Sequence, residues 1–537
     1  MPDNAYTEND ISSVTLDKIA SDNSVDDMSL AQGTGVTATG IQGSFAQGSN
    51  ATASGRLGSF AQGSNAIASG TGGAFAQGAG AHALGIKGSF AQGLSTTASG
   101  TAGAFAQGSG AVATGHHGSF AQGATVTAGS GIAGEISGAF AQGKSATASG
   151  IKGSFAQGTG VTASGTAGTF AQGSQATTTG NIGSFAQGAV VAAGSNGSFA
   201  QGNSAIVSSG NGAFAQGVSV AAAGNGSFAQ GAYVIASGIK GSFAQGSSTK
   251  AYGTAGCFAQ GSETQAYGNL GSFAQGEAAQ ASGSVGSFAQ GNTVTAWGHI
   301  GCFAQGQNIY SGQNNSDSFG CFAQGVSLEA SGTKGSFAQG SNATASGNYG
   351  SFAQGGACSA SGVGSFAQGK NCTATGNYGT FASGTNAYAL NTPSFALGYN
   401  VNASGSGSFA LGKNCVSSGD YSFTLGLDCK ALNTTSFAQG SGASAYGSSS
   451  FAFGNGATAS ADYSIQFGNG QNSNSNSLYC STINAATLYG SYVKCGSSGF
   501  SANGTSGAFG TSFWVAGTAG GSYYMTIKYG IVTGVSN

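Results

Sequence analysis

The residues with the most obvious chemical potential are scattered, and each must be weighed against its setting. Gly138 to Ser145 reads GAFAQGKS, a formal match to the G-x-x-x-x-G-K-[ST] phosphate cradle. That cradle works only where a helix starts after the Ser, and Ala146-Thr147-Ala148-Ser149-Gly150 has the alternation of a strand. Phosphate binding is therefore not expected. Four histidines (His82, His116, His117, His299) have no carboxylate nearby in sequence to orient them, and no nucleophile–base set can be assembled. Nine cysteines invite a disulfide or zinc reading, yet there is no C-x-x-C and no Cys/His ligand spacing. Cys257, Cys302 and Cys321 each stand where a Ser otherwise precedes a Phe; Cys358, Cys372, Cys415 and Cys429 each replace an Ala of a second motif. They read as small core residues with free thiols. Cys358/Cys372 and Cys415/Cys429 lie one repeat apart and should stack, which is compatible with a bridge but does not require one. The Gly-Gly-x-Gly-x-Asp calcium repeat is absent. The expectation is no catalytic residue, no metal, no cofactor and no enzymatic activity. Thr52 and Ser54 begin a paired hydroxyl array of the kind that binds ice, but His82/Leu84, Lys250/Tyr252 and Thr295/Trp297 break it.

The elements that hold these residues follow from composition and period. Of 537 residues 102 are Gly and two are Pro, and charged residues make up 5%, against about 25% in an ordinary domain. The mean hydropathy of +0.02 means that small residues, not greasy ones, replace the charge. Such a chain has little material for amphipathic helices. A net charge of −2 with 13 Lys plus Arg cannot lay a basic track on nucleic acid. No apolar run of about 18 residues is present for membrane insertion, and the Gly period of collagen is missing.

Gly-Ser-Phe-Ala-Gln-Gly, first complete at Gly43–Gly48, recurs with its Phe at Phe45, Phe60, Phe75, Phe90, Phe105 and Phe120, a step of 15. The series continues through Phe155, Phe170 and Phe185, then mixes steps of 15 and 14, and from Phe381 settles at 14. Leu30 to Ile465 makes 30 units, two of them longer, by five residues before Phe140 and by four before Phe322. Disorder keeps no such register; a solenoid does. Each unit has two halves, as in Ser44-Phe45-Ala46-Gln47-Gly48 and Ala51-Thr52-Ala53-Ser54-Gly55, and each half alternates with period two. The fold expected is all-β: a parallel β-roll, or β-solenoid, of about 30 coils of 14–15 residues, with a small C-terminal β domain. At strand spacing the stack is on the order of 140 Å long.

Parity follows from what the variable sites tolerate. The class Thr52, Ile67, His82, Lys250, Gln265, Glu329 accepts charge and must face out, because a roll this thin cannot bury Lys and Glu unpaired. The pleat then puts Ser44, Ala46 and Gly48 inside, and Phe45 and Gln47 outside. The 28 Phe of the series form a stripe that, left exposed, would aggregate; at roughly 1.5–3 kcal/mol per buried Phe, self-association is the economical solution. The interface expected runs along Phe45, Gln47, Phe60, Phe75, Phe90, Phe105, Phe120, Phe155, Phe170, Phe185, Leu397 and Leu411. Gln can bond its own copy one coil above and below, and a three-fold axis closes the interface without an open edge. A wider coil with Phe inside one chain is the competing reading.

Three segments are expected: an acidic cap or anchor over 1–28, the repeats over 29–468, and a C-terminal cap or tip over 469–537. The first holds seven of the 15 acidic groups (Asp3, Glu8, Asp10, Asp17, Asp22, Asp26, Asp27), and Ile11 to Ala20 reads as a short helix. The last collects Tyr479, Tyr489, Tyr492, Trp514, Tyr523 and Tyr524 as candidate contacts of a binding tip; capping the roll explains them equally well.

Paired heptads of the form S-x-A-x-G-x-x / A-x-A-x-G-x-x resemble the head repeats of YadA-like trimeric autotransporter adhesins, with Phe and Gln where that family has Val and Ile. Ser394-Phe395-Ala396-Leu397-Gly398 and Ser408-Phe409-Ala410-Leu411-Gly412 come closer. The resemblance covers about 440 of 537 residues. It implies a left-handed, trimeric roll displayed on a surface for adhesion. No cationic start and apolar stretch marks a secretory signal in Met1 to Ala31, and neither a heptad stalk nor membrane strands follow the repeats, so the likeness is to the head alone. The ending, SYYMTIKYGIVTGVSN from Ser522, resembles terminal strands of phage and giant-virus structural proteins. The expected function is a non-enzymatic fibre or filament, trimeric, on a virion or cell surface and used for attachment to a receptor the sequence does not name. The alternative is a secreted adhesin or matrix filament that polymerises end to end through its caps.

Overall fold

The computed structural model describes residues 29–129, 138–313 and 318–471 in full, and elsewhere only the backbone of short strands. The described residues are all-β with no helix, and their parallel strands stack as a β-solenoid of about 29 turns. One coil shows the construction. Phe45–Ser49 is a strand, Asn50 turns the chain in the left-handed region at φ 55°, Thr52–Ala53 is a second strand, and Gly58 (φ 51°) turns it back. The next coil lies in parallel register: Phe45 opposite Phe60, Gln47 opposite Gln62, Thr52 opposite Ile67. A third line of contact, which the two-strand reading did not include, joins single residues of successive turns, such as Gln42 with Leu57 and Leu57 with Gly72. Like side chains therefore sit above like side chains, and one coil's chemistry becomes a column.

The interior is as thin as the sequence implies. Ser44 is 1% exposed, and Ala46, Ala51 and Ala53 are fully buried. The column of Ala51 admits the larger groups, among them Val126, Val161, Val294 and Leu328. Gly48 is a correction. It is half-exposed and does not line the interior. Its backbone, at φ 133°, lies against the next coil, and a Cβ there would meet the Gly63 carbonyl oxygen at 2.2 Å. Glycine recurs at this point because the coils touch there.

The two longer units do not disturb the register. Phe120 pairs with Phe140 and Phe303 with Phe322, each pair of rings 4.8 Å apart. The inserted residues 130–137 and 314–317 lie outside the described residues. At the N-terminal end, the helix expected over Ile11–Ala20 is contradicted where the structure describes it: Val14–Thr15 is a strand, antiparallel to Ala31–Gln32. The rest of that segment lies outside the described residues.

The chain divides into two compact units, Met1–Tyr479 and Cys480–Asn537. The second contains a short antiparallel pair, Ser501–Ala502 with Thr505–Ser506. It also holds a three-stranded antiparallel sheet of Thr511–Ala516, Ser522–Lys528 and Ile531–Ser536, with Trp514 opposite Tyr524. Of the candidate tip residues, Tyr489 and Tyr492 lie outside the described residues, as do the side chains of Tyr479, Trp514, Tyr523 and Tyr524.

Candidate functional site: the phenylalanine and glutamine ladders

Because each first strand repeats F-A-Q in parallel register, alternate side chains on its outer side form two adjacent columns. The first is a stack of Phe rings. Phe45, Phe60, Phe75, Phe90, Phe105, Phe120, Phe155, Phe170 and Phe185 all belong to it, outside the Ala-lined interior. Centroids of Phe155 and Phe170 are 4.7 Å apart with planes 1° from parallel, and the spacing holds near this value to Phe437. The rings are half-buried, so the open stripe expected from the sequence is partly closed by the rings themselves. Each face is covered by the ring above and the ring below, and only edges meet solvent.

The second column is a chain of amides. Gln47 Nε2 donates to Gln32 Oε1 at 2.8 Å, Gln62 to Gln47 at 2.7 Å, and so on in one direction to Gln368, which donates to Gln354 at 2.8 Å. The chain crosses both insertions without a gap, with Gln142 on Gln122 and Gln324 on Gln305. Each link is worth about 1 kcal/mol net. Each amide keeps a second N–H and a second lone pair for water. Beyond Gln368 the column changes character: Ser383, then Leu397, Leu411 and Leu425 in parallel register, then Gln439, Phe453 and Phe467.

A third column escaped the sequence reading. Asn371, Asn386, Asn400 and Asn414 occupy the left-handed corner at φ 52–55°. Their side chains run Asn371 to Asn386 at 3.0 Å, Asn386 to Asn400 at 2.7 Å, Asn400 to Asn414 at 3.2 Å and Asn414 to the Asp428 carboxylate at 2.8 Å. The signal was present as Asn recurring five residues after Phe. On the second strand, Tyr252 stacks on Tyr267 at 5.2 Å and Trp297 meets Tyr310 edge-on at 6.0 Å. Burial and the neighbouring Tyr252 push the Tyr267 hydroxyl pKa up.

The remaining candidates are parts of the coils. Phe140–Lys144 is a strand, Ser145 is a left-handed corner and Thr147–Ala148 is the next strand, so no helix follows GAFAQGKS. Cys257, Cys302, Cys321, Cys358, Cys372, Cys415 and Cys429 are buried free thiols. Cys358 donates to the Gly369 carbonyl and Cys415 to that of Gly426, each at 3.2 Å. Hydrogen bonding to Cys372 and burial push the Cys358 thiol pKa up, as bonding to Cys415 and burial do for Cys429. His116 bonds Thr101 at 2.7 Å and His299 lies edge-on to Phe319. Among the described residues no three His, Cys, Asp or Glu cluster as metal ligands would, and no helix is long and apolar enough to cross a membrane.

No protein-family model matches the chain, and no curated protein sequence does. The β-solenoid is compatible with a structural fibre.

Proposed function

We propose that this chain is a non-enzymatic structural fibre protein that associates with copies of itself as a trimer through the Phe/Gln face, and that it serves attachment at a virion or cell surface. The observation that carries the reading is the pair of continuous columns. Rigid aromatic edges and an amide chain run side by side along the first strands of a roll whose rungs are in constant register. Such a face repeats once per strand spacing, and a second roll of the same sequence offers the same period. The resemblance of the paired heptads to trimeric adhesin heads points the same way.

The test is the mass of the full chain by sedimentation over a wide dilution series, with negative-stain images of the same sample. Three copies forming discrete rods are expected. A single chain of 51.4 kDa at every concentration overturns the self-association. Indefinite filaments would replace the trimer by the end-to-end alternative.

A further inference from the structure

We propose that association is concentrated in the late coils, Phe395 to Phe467, where a second copy of this chain covers the column of Leu397, Leu411 and Leu425. The inference rests on the self-association reading and narrows it. From Gln32 to Gln368 the amide chain completes itself within one molecule. Covering that stretch would strip water from the unused N–H and lone pair of every Gln. At Leu397, Leu411 and Leu425 no polar side-chain atom is left to desolvate. These Leu lie beside Phe395, Phe409 and Phe423, whose rings stack at 4.4 and 4.8 Å, so two apolar columns run together. The stripe then opens further: Phe451 is 37% exposed and Phe467 43%. Among the described residues Leu397, Leu411 and Leu425 stay partly exposed, although they have the least reason to stay wet.

Charge at its borders selects the occupant. Lys413 ends the strand that begins at Phe409 and is exposed. Asp420 sits at the opposite border, where its Oδ1 accepts from the Ser406 amide at 2.8 Å. Asp428, on the Lys413 side, is already held by Asn414. A copy in parallel register around a closed ring brings the Lys413 border of one chain to the Asp420 border of the next. It also meets the Leu and Phe columns rung for rung, since its rungs have the same spacing.

The full chain with Leu397→Gln, Leu411→Gln and Leu425→Gln tests this. The substitutions put an amide at each Leu rung, so the roll's circular dichroism should persist while the sedimenting mass falls to 51.4 kDa at concentrations where the parent is oligomeric. Replacing Phe199, Phe214 and Phe228 by Ser should leave the mass unchanged. Retention of the oligomer by the Leu→Gln chain, or dissociation by the mid-roll chain with its fold intact, overturns the inference and leaves the self-association reading standing. A parent monomeric at every concentration sinks both. Should the triple variant not fold, Lys413→Asp alone should weaken assembly at least tenfold and Lys413→Asp with Asp420→Lys should restore it; no weakening, or no restoration, overturns the border pairing.

Discussion

Gln368 donates to Gln354 at 2.8 Å and is the last link of an amide chain that starts at Gln32. The chain is directional: every Nε2 points to the preceding coil. A carboxyl in its midst therefore has a defined effect. Gln201 donates to Gln187 and accepts from Gln216, both at 2.7 Å.

With Gln201→Glu, the protonated carboxyl can still donate one way and accept the other, whereas the carboxylate can only accept and faces the Gln187 oxygen. The variant should match the parent near pH 3 and lose about 1–2 kcal/mol at pH 7. The stabilising form is the protonated one, so the loss sets in as pH rises. Urea midpoints at the two pH values, with Gln201→Leu as a control that breaks both links and loses about 2 kcal/mol at both, check this. A pH-independent Gln201→Glu would mean that the ladder carries no stability.

Where the coils touch, the backbone leaves no room. A Cβ on Gly217, at φ 136°, would lie 1.8 Å from the Gly231 carbonyl oxygen. Gly217→Ala should cost roughly 3 kcal/mol or more, because the obstacle is backbone. Limited proteolysis should find a new cleavage site near residue 217. An unchanged digestion pattern and thermal midpoint would contradict the contact.

Val190 is a β-branched residue in the left-handed corner at φ 54°, the position that Asn50 and Asn65 fill in other coils. Branching at Cβ makes that conformation costly, while Asn tolerates it. Val190→Asn should raise stability by about 0.5–1 kcal/mol, seen as a higher urea midpoint with an unchanged denaturant slope. Since Val190 is itself 51% exposed, little apolar burial is lost to offset the gain.

The sequence by itself determined the period, the two-strand coil, and which side chains face in. A step of 14–15 with small residues at alternate sites leaves one stacking, and the tolerance for Lys250 and Glu329 beside neighbours that are mostly small and never charged assigns parity through the cost of burying charge. It also denied GAFAQGKS its helix, because the residues that follow continue the strand alternation. What only the tertiary structure decided depends on the coil above and below. Phe rings read singly are exposed hydrophobes; stacked at 4.7 Å they cover one another. Gln47, read singly, is a polar surface residue; in register with Gln32 it is one link of a directed chain. Gly48 looked like an interior residue by alternation, and the reason for it is the Gly63 carbonyl 15 positions away. Asn371 to Asp428 looked like turn chemistry, coil by coil, and proved to be one hydrogen-bonded line. The backbone ladder sets a rise close to the thickness of a ring and the reach of an amide, and that distance exists only once the coils are stacked.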